Sequence, residues 1–342
     1  MKKLLQVLSI LVVISSVFYV ADANAKKWTM KIAHTNPGDP YVNEHHALAT
    51  VFKSILEAKS GGAVKVEIYP AAQLGGNREL MEAMQMGSIQ GYIASSAWLA
   101  PFTPLLQTFR IPFLFSSELV AYTVIDGAFG DDIFEEVRKT TGIRILACAD
   151  DSGFTHFTNN VRPIRVPADM KGLKMRTMSS PIIMKMVEAL GAAATVIPWP
   201  ELYTSLQTGV VDGQDNGISA IMFGKLFEVQ KYLILTGHFY SLNPFYVNDK
   251  WFSSLPSDLQ KVAQAAAKTG VIAARGLTRI RDATGIEFLK EKGMDIYTPT
   301  PQELAQFRKT CQSVVIEELN KVVGKDWVER LIQVTKESEN KY

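Results

Sequence analysis

The chain has 342 residues, 47% of them hydrophobic and 20% charged, with a formal net charge of +2. That hydrophobic content excludes a disordered chain, and the near-neutral charge gives nucleic acid no basic footprint to bind. No G-x-S-x-G elbow, H-E-x-x-H, phosphate-binding glycine loop or cysteine cluster occurs, so hydrolysis, nucleotide chemistry, a metal centre and a cofactor have no motif to occupy.

Lys2 and Lys3 precede an apolar run from Leu4 to Val20 and then Ala23-Asn24-Ala25, the pattern of a signal peptide over residues 1–25 with cleavage before Lys26. Its removal leaves about 317 residues, more than a single hydrophobic core usually holds, so two lobes are expected. No later segment reads as a membrane span, and the mature chain is expected to be soluble and exported.

Trp28 to Ala33 reads as a strand, followed by a turn-rich loop from His34 to Pro40. Tyr41 to Lys59 shows apolar residues at helical spacing (Leu48, Val51, Phe52, Ile55, Leu56). Val64 to Tyr69 alternates as a strand, and helix Arg78 to Met86 and strand Gly91 to Ala94 follow. A second series comprises strands 143–149, 154–159 and 173–176, helix 181–190, strand 194–197 and helix 201–208. Such alternation predicts mostly parallel α/β sheets. From Ser257 to Lys292 the sequence stays helix-compatible, about 50 Å at 1.5 Å per residue, enough to cross both lobes. Two amphipathic helices, Gln302 to Leu319 and Gly324 to Ser338, end the chain. Residues 26–152 with about 242–281 are assigned to lobe I, and 153–241 with about 282–342 to lobe II. Cys148 and Cys311, the only two cysteines, are either a disulfide, which export permits, or two buried thiols.

Ligands of open α/β sheets lie beyond the carboxyl ends of strands. Here those ends are the His34 loop, Ser95 to Trp98, Thr155 to Thr158, Arg176 to Ser180, Trp199 and Asp215-Asn216. Four segments at or beside them carry a family resemblance: YPAAQLGGNREL (69–80), RPIRVPADMKGLKMR (162–176), GAAATVIPWPELYTSLQTGVVDGQDN (191–216) and EVQKY (228–232). In order and spacing they resemble the solute-binding proteins of the tripartite ATP-independent periplasmic (TRAP) transporters. The resemblance implies two α/β lobes around a central ligand cleft, a long helix shared by both, and capture of an organic acid for a membrane permease, with no ATPase and no catalysis. A sensor module for a membrane receptor and a periplasmic enzyme are the competing classes.

The resemblance places Arg176 against the substrate carboxylate, where a planar guanidinium matches the carboxylate fork with two parallel hydrogen bonds. It places Asn216 on the same carboxylate or a neighbouring oxygen. Asp215 and Gly217 stand where the family more often has Glu and Pro. His156 replaces a second arginine found in many members. A monocarboxylate is therefore expected, although a protonated His156 would serve a diacid. Trp199, Trp98 and Met178 suggest an aromatic or bulky apolar body, such as an indole or phenyl amino or keto acid. A short 2-oxo or 2-hydroxy acid and a C4-dicarboxylate are the alternatives. Ser95, Thr35 and His34 are further wall candidates, and Asp215 or Asp151 would accept an amine. Glu201, with Tyr203, resembles the family's structural E-x-Y and reads as a helix-start or lobe-bridging residue more than a direct ligand. His45 and His46 are expected on the solvated surface, on different sides of a helix.

Overall fold

The computed structural model describes residues 27–341, so the expected leader lies outside the described residues. β1 (Trp28–Ala33), β2 (Val64–Tyr69) and β3 (Gly91–Ile93) run parallel with β1 in the middle. Helices α1 (Glu44–Lys59) and α2 (Asn77–Met86) make the two crossovers. α1 begins at Glu44 rather than Tyr41 because the Asn43 side chain accepts from the backbone N–H groups of His45 and His46. Those amides have no partner within the helix, and the cap supplies one.

Two long strands complete this first sheet in the order β2-β1-β3-β10-β4. β4 (Ile143–Phe154) runs on past the Ala149 boundary read from sequence, and β10 (Tyr240–Asn248) is antiparallel to both β3 and β4. The sheet is therefore mixed, against the expectation of mostly parallel strands. Every residue of β10 is buried, so it lacks the inside-outside alternation that marks a strand in sequence.

The second sheet has the order β11-β9-β5-β8-β6-β7. Its strands are β5 (His156–Asn159), β6 (Lys174–Thr177), β7 (Ala193–Val196), β8 (Gly213–Asn216), β9 (Tyr232–Ile234) and β11 (Asp295–Tyr297). It too is mixed, since β5 is antiparallel to β8 and β9 while β6 is parallel to β7 and β8. α5 (Pro181–Ala189) and α6 (Trp199–Gln207) connect β6 to β7 and β7 to β8, and α7 (Ile218–Phe223) follows β8.

The chain crosses between the sheets at β4–β5, where Thr155 alone separates the strands, and between β9 and β10. α8 (Asp249–Ser253) precedes the 35-residue α9 (Ser257–Glu291), which ends within a residue of the sequence reading. α9 packs its buried Ala263, Ala266 and Ala267 with Leu48 and Phe52 of α1. Farther along it meets α7, where Gly285 is needed: a Cβ there would lie 2.3 Å from Ile218 Cγ2. One rigid helix thus touches elements associated with both sheets. α3 (Glu118–Ile125) and α4 (Ala128–Thr141), unread from sequence, pack beside β4. α10 (Pro301–Val322) packs on α5, and α11 (Lys325–Glu339) on α3. Among the described residues no helix is long and apolar enough to cross a membrane. Cys148 and Cys311 are both free and buried.

Candidate ligand site

The carboxyl ends of β1 and β3 face those of β6 and β8, since residues that follow or end these strands line one cavity. Between them lies a cavity whose walls come from both sides. Arg176, Met178, Trp199, Asn216, Ala220 and Phe223 line it from the second sheet and α7, and Thr35, Asn36, His45, Asn77, Ser95, Trp98 and Asp151 from the first. Its free volume is about 30 Å³, room for one or two waters. An acid of four or more carbons does not fit the cavity at this size.

Arg176 sits at the end of β6 and is 1% exposed. Its Nε donates to the Ile197 carbonyl at 2.8 Å, which fixes the plane of the guanidinium. No salt bridge joins it to any described carboxylate. Burial lowers its pKa to about 10, opposed by the charges of Asp215 and Asp151, so it stays cationic at neutral pH. A buried cation without an ion-pair partner carries an uncompensated desolvation cost, which an anion seated against it would relieve.

Asn216 closes β8, and its Nδ2 donates to Gln214 Oε1. Gln214 in turn donates to Thr158 Oγ1 at 2.8 Å, and Thr158 to Gln230 at 2.8 Å. This relay along the sheet fixes the Asn216 amide beside Arg176. Trp199 opens α6 and meets Phe223 edge-on with ring centroids 5.4 Å apart, which sets one wall of the cavity. Trp98 and Met178 are buried against it.

His156 and Asp215 do not line the cavity. The His156 Nδ1 accepts from the Gly237 N–H at 3.0 Å, and burial, then the His238 charge, lowers its pKa to about 3. It is a neutral imidazole facing a separate surface pocket with Asp282 and Glu118, so it supplies no cation for a diacid. Asp215 is buried 3.5 Å from His238 Nε2, behind the cavity wall. Glu201 is exposed in the first turn of α6, as its helix-start reading has it. His34 is buried, and its Nε2 lies 2.9 Å from His46 Nδ1.

His45 overturns the surface expectation. It is 4% exposed, and its Nε2 lies 3.2 Å from Asp151 Oδ1. The Asn43 cap turns the first residues of α1 inward, so His45 faces β4 while His46 packs on His34.

Sequence reasoning also missed Arg110, fully buried in the 3₁₀ turn Leu105–Arg110. Its Nη2 donates to Ser95 Oγ at 2.9 Å and to Ser241 Oγ at 3.1 Å. Ser241 passes the bond on to Asp151 Oδ2 at 3.0 Å. Nothing in the run Leu105-Leu106-Gln107-Thr108-Phe109-Arg110 marks this arginine as part of a site. Asn77 was missed too, although the Gly75-Gly76 pair before it marks a helix start.

The family model described as bacterial extracellular solute-binding protein, family 7, matches residues 33–321. This chain belongs to that family. It is a DctP-type solute-binding protein of the TRAP class, and such proteins bind substrates without turning them over. It is 31% identical, over 84% of its length and 86% of the relative's, to the C4-dicarboxylate-binding periplasmic protein DctP of Rhodobacter capsulatus. To the 2,3-diketo-L-gulonate-binding periplasmic protein YiaO of Escherichia coli it is 30% identical over 75% of this chain and 77% of the relative. The sugar acid binding protein of Advenella mimigardefordensis in complex with galactonate superposes with a TM-score of 0.86 at 28% identity, covering 92% of this chain and all of the other. The family binds small organic acids, and the cavity of this DctP-type chain lies between its two sheets.

Proposed function

We propose that this solute-binding protein is exported, captures an organic monocarboxylate between its two lobes by a bidentate Arg176–carboxylate pair, and delivers it to the membrane subunits of a TRAP permease. The observation that supports this reading is the buried Arg176 guanidinium with no carboxylate partner among the described residues, its plane held by Ile197. Asn216 offers the same carboxylate a neutral amide, and Trp199, Trp98 and Met178 form the apolar strip against which the acid's carbon chain lies. Parting of the lobes at the β4–β5 and β9–β10 crossings opens the way in, and closure over the acid presents a single shape to the permease. Calorimetric titration with an acid such as galactonate tests the anchor. Arg176→Ala weakens binding by about 2 to 5 kcal/mol, because it leaves a desolvated anion unpaired. Unchanged affinity refutes the assignment.

A further inference from the structure

The wall opposite Arg176 presents a carboxylate to the cavity, Asp151, with the buried Arg110 guanidinium behind it. Asp151 lines the cavity with its side chain 18% exposed. Burial alone would raise its carboxyl, but the His45 hydrogen bond and charge, then Ser95 and the Arg110 charge, hold it below the usual carboxylate range. It is therefore ionised at neutral pH. Its position is fixed from two sides: His45 Nε2 approaches Oδ1 at 3.2 Å, and Ser241 donates to Oδ2 at 3.0 Å. Arg110 orients that Ser241 and also Ser95, a cavity residue. Beside this pair, among the described residues, the buried Asn77 Oδ1 has no hydrogen-bond partner. Asn77 has committed its Nδ2 to Thr35 Oγ1 and Tyr92 OH, which leaves an acceptor.

We infer that Asp151, held in place by His45 and by Arg110 through Ser241, forms with Asn77 a second subsite that accepts hydrogen bonds from the hydroxyls of a polyhydroxylated monocarboxylate and rejects a second carboxylate. The inference rests on Arg176 taking the acid group. Once that group is anchored, the remainder of the ligand faces acceptors, and a hydroxyl is a donor whereas a carboxylate has no hydrogen to give. A second carboxylate would also be a like charge beside Asp151 in a partly desolvated site. An indole or phenyl body, expected from Trp199 and Trp98, would leave the same acceptors unmet. A single ammonium satisfies one point, whereas the acceptors here are spread over α2 and β4, which matches hydroxyls on successive carbons. This separates the chain from its C4-dicarboxylate-binding relative and makes Asp151 a specificity-determining residue.

Calorimetry with aldonates of four to six carbons, succinate and phenylalanine decides it, using wild-type protein, Asp151→Asn and Arg176→Ala. In wild type an aldonate binds at least 100-fold tighter than succinate or phenylalanine. Asp151→Asn, nearly isosteric, narrows the aldonate-to-succinate ratio at least tenfold while Arg176→Ala weakens both by at least about 30-fold. No measurable binding of any aldonate, succinate equal to the best aldonate, or phenylalanine tighter than it overturns the inference, and the wild-type ranking alone suffices if the variant misfolds. Aldonate affinity unchanged by Arg176→Ala fails the anchor reading instead.

Discussion

Gly217, between β8 and α7, stands so close to Ser152 on β4 that an added Cβ would lie 1.7 Å from the Ser152 carbonyl oxygen. Ser152 cannot retreat easily, since it already holds a left-handed φ of 62° and its hydroxyl donates to Glu44 at 2.8 Å. Glu44 also accepts from Ser219 of α7 at 3.2 Å, so the two sides are latched at this point.

Gly217→Ala is therefore expected to fold normally by circular dichroism yet fail to close. Ligand affinity falls at least tenfold, and small-angle scattering shows a larger radius of gyration with saturating acid than the wild type reaches. An unchanged radius and affinity would mean that this contact does not govern closure.

A pH dependence follows from the Arg279 cluster on α9, where Glu118, Asp150 and Asp282 share one guanidinium. Burial, only partly offset by Arg279, raises the Asp282 carboxyl to about 7 from an ordinary value of 3.8. The folded state thus holds a proton that the unfolded chain releases, so this group's contribution to stability is full below about pH 4 and is lost as pH rises to about 7. Asp282→Asn should raise the melting temperature at pH 8 and change it little at pH 4. A variant that melts lower than wild type at pH 8 contradicts that sign.

The thiols give a simple check on packing. Burial raises Cys148 well above its usual range and Cys311 to about 12, so neither offers a reactive thiolate at pH 8. A thiol reagent should titrate no cysteine in the native protein and two in denaturant without reductant. No titratable thiol in denaturant without reductant would instead indicate a disulfide.

The periodic elements were legible in the sequence. β1, β2 and α9 carry clean 2.0 or 3.6 spacing, and their observed ends fall on or next to the residues read from it. β10 was not legible, because a strand buried on both faces has no period, and with it went the antiparallel half of the first sheet. The same contrast holds at the site. Arg176, Asn216 and Trp199 sit at strand or helix ends inside recognisable segments. The opposing wall joins His45, Asn77, Arg110, Asp151 and Ser241 from five separate segments. Only the folded sheet brings those together, and His45 looked like surface until the Asn43 cap fixed the start of its helix.

The claim that Arg176 anchors the substrate is tested most directly by a crystal structure of the protein with a bound acid. It should show both carboxylate oxygens within hydrogen-bond distance of the Arg176 guanidinium, with Nε still on the Ile197 carbonyl. A structure with Arg176 paired to Asp215 or Asp151, and the acid held elsewhere, would contradict it.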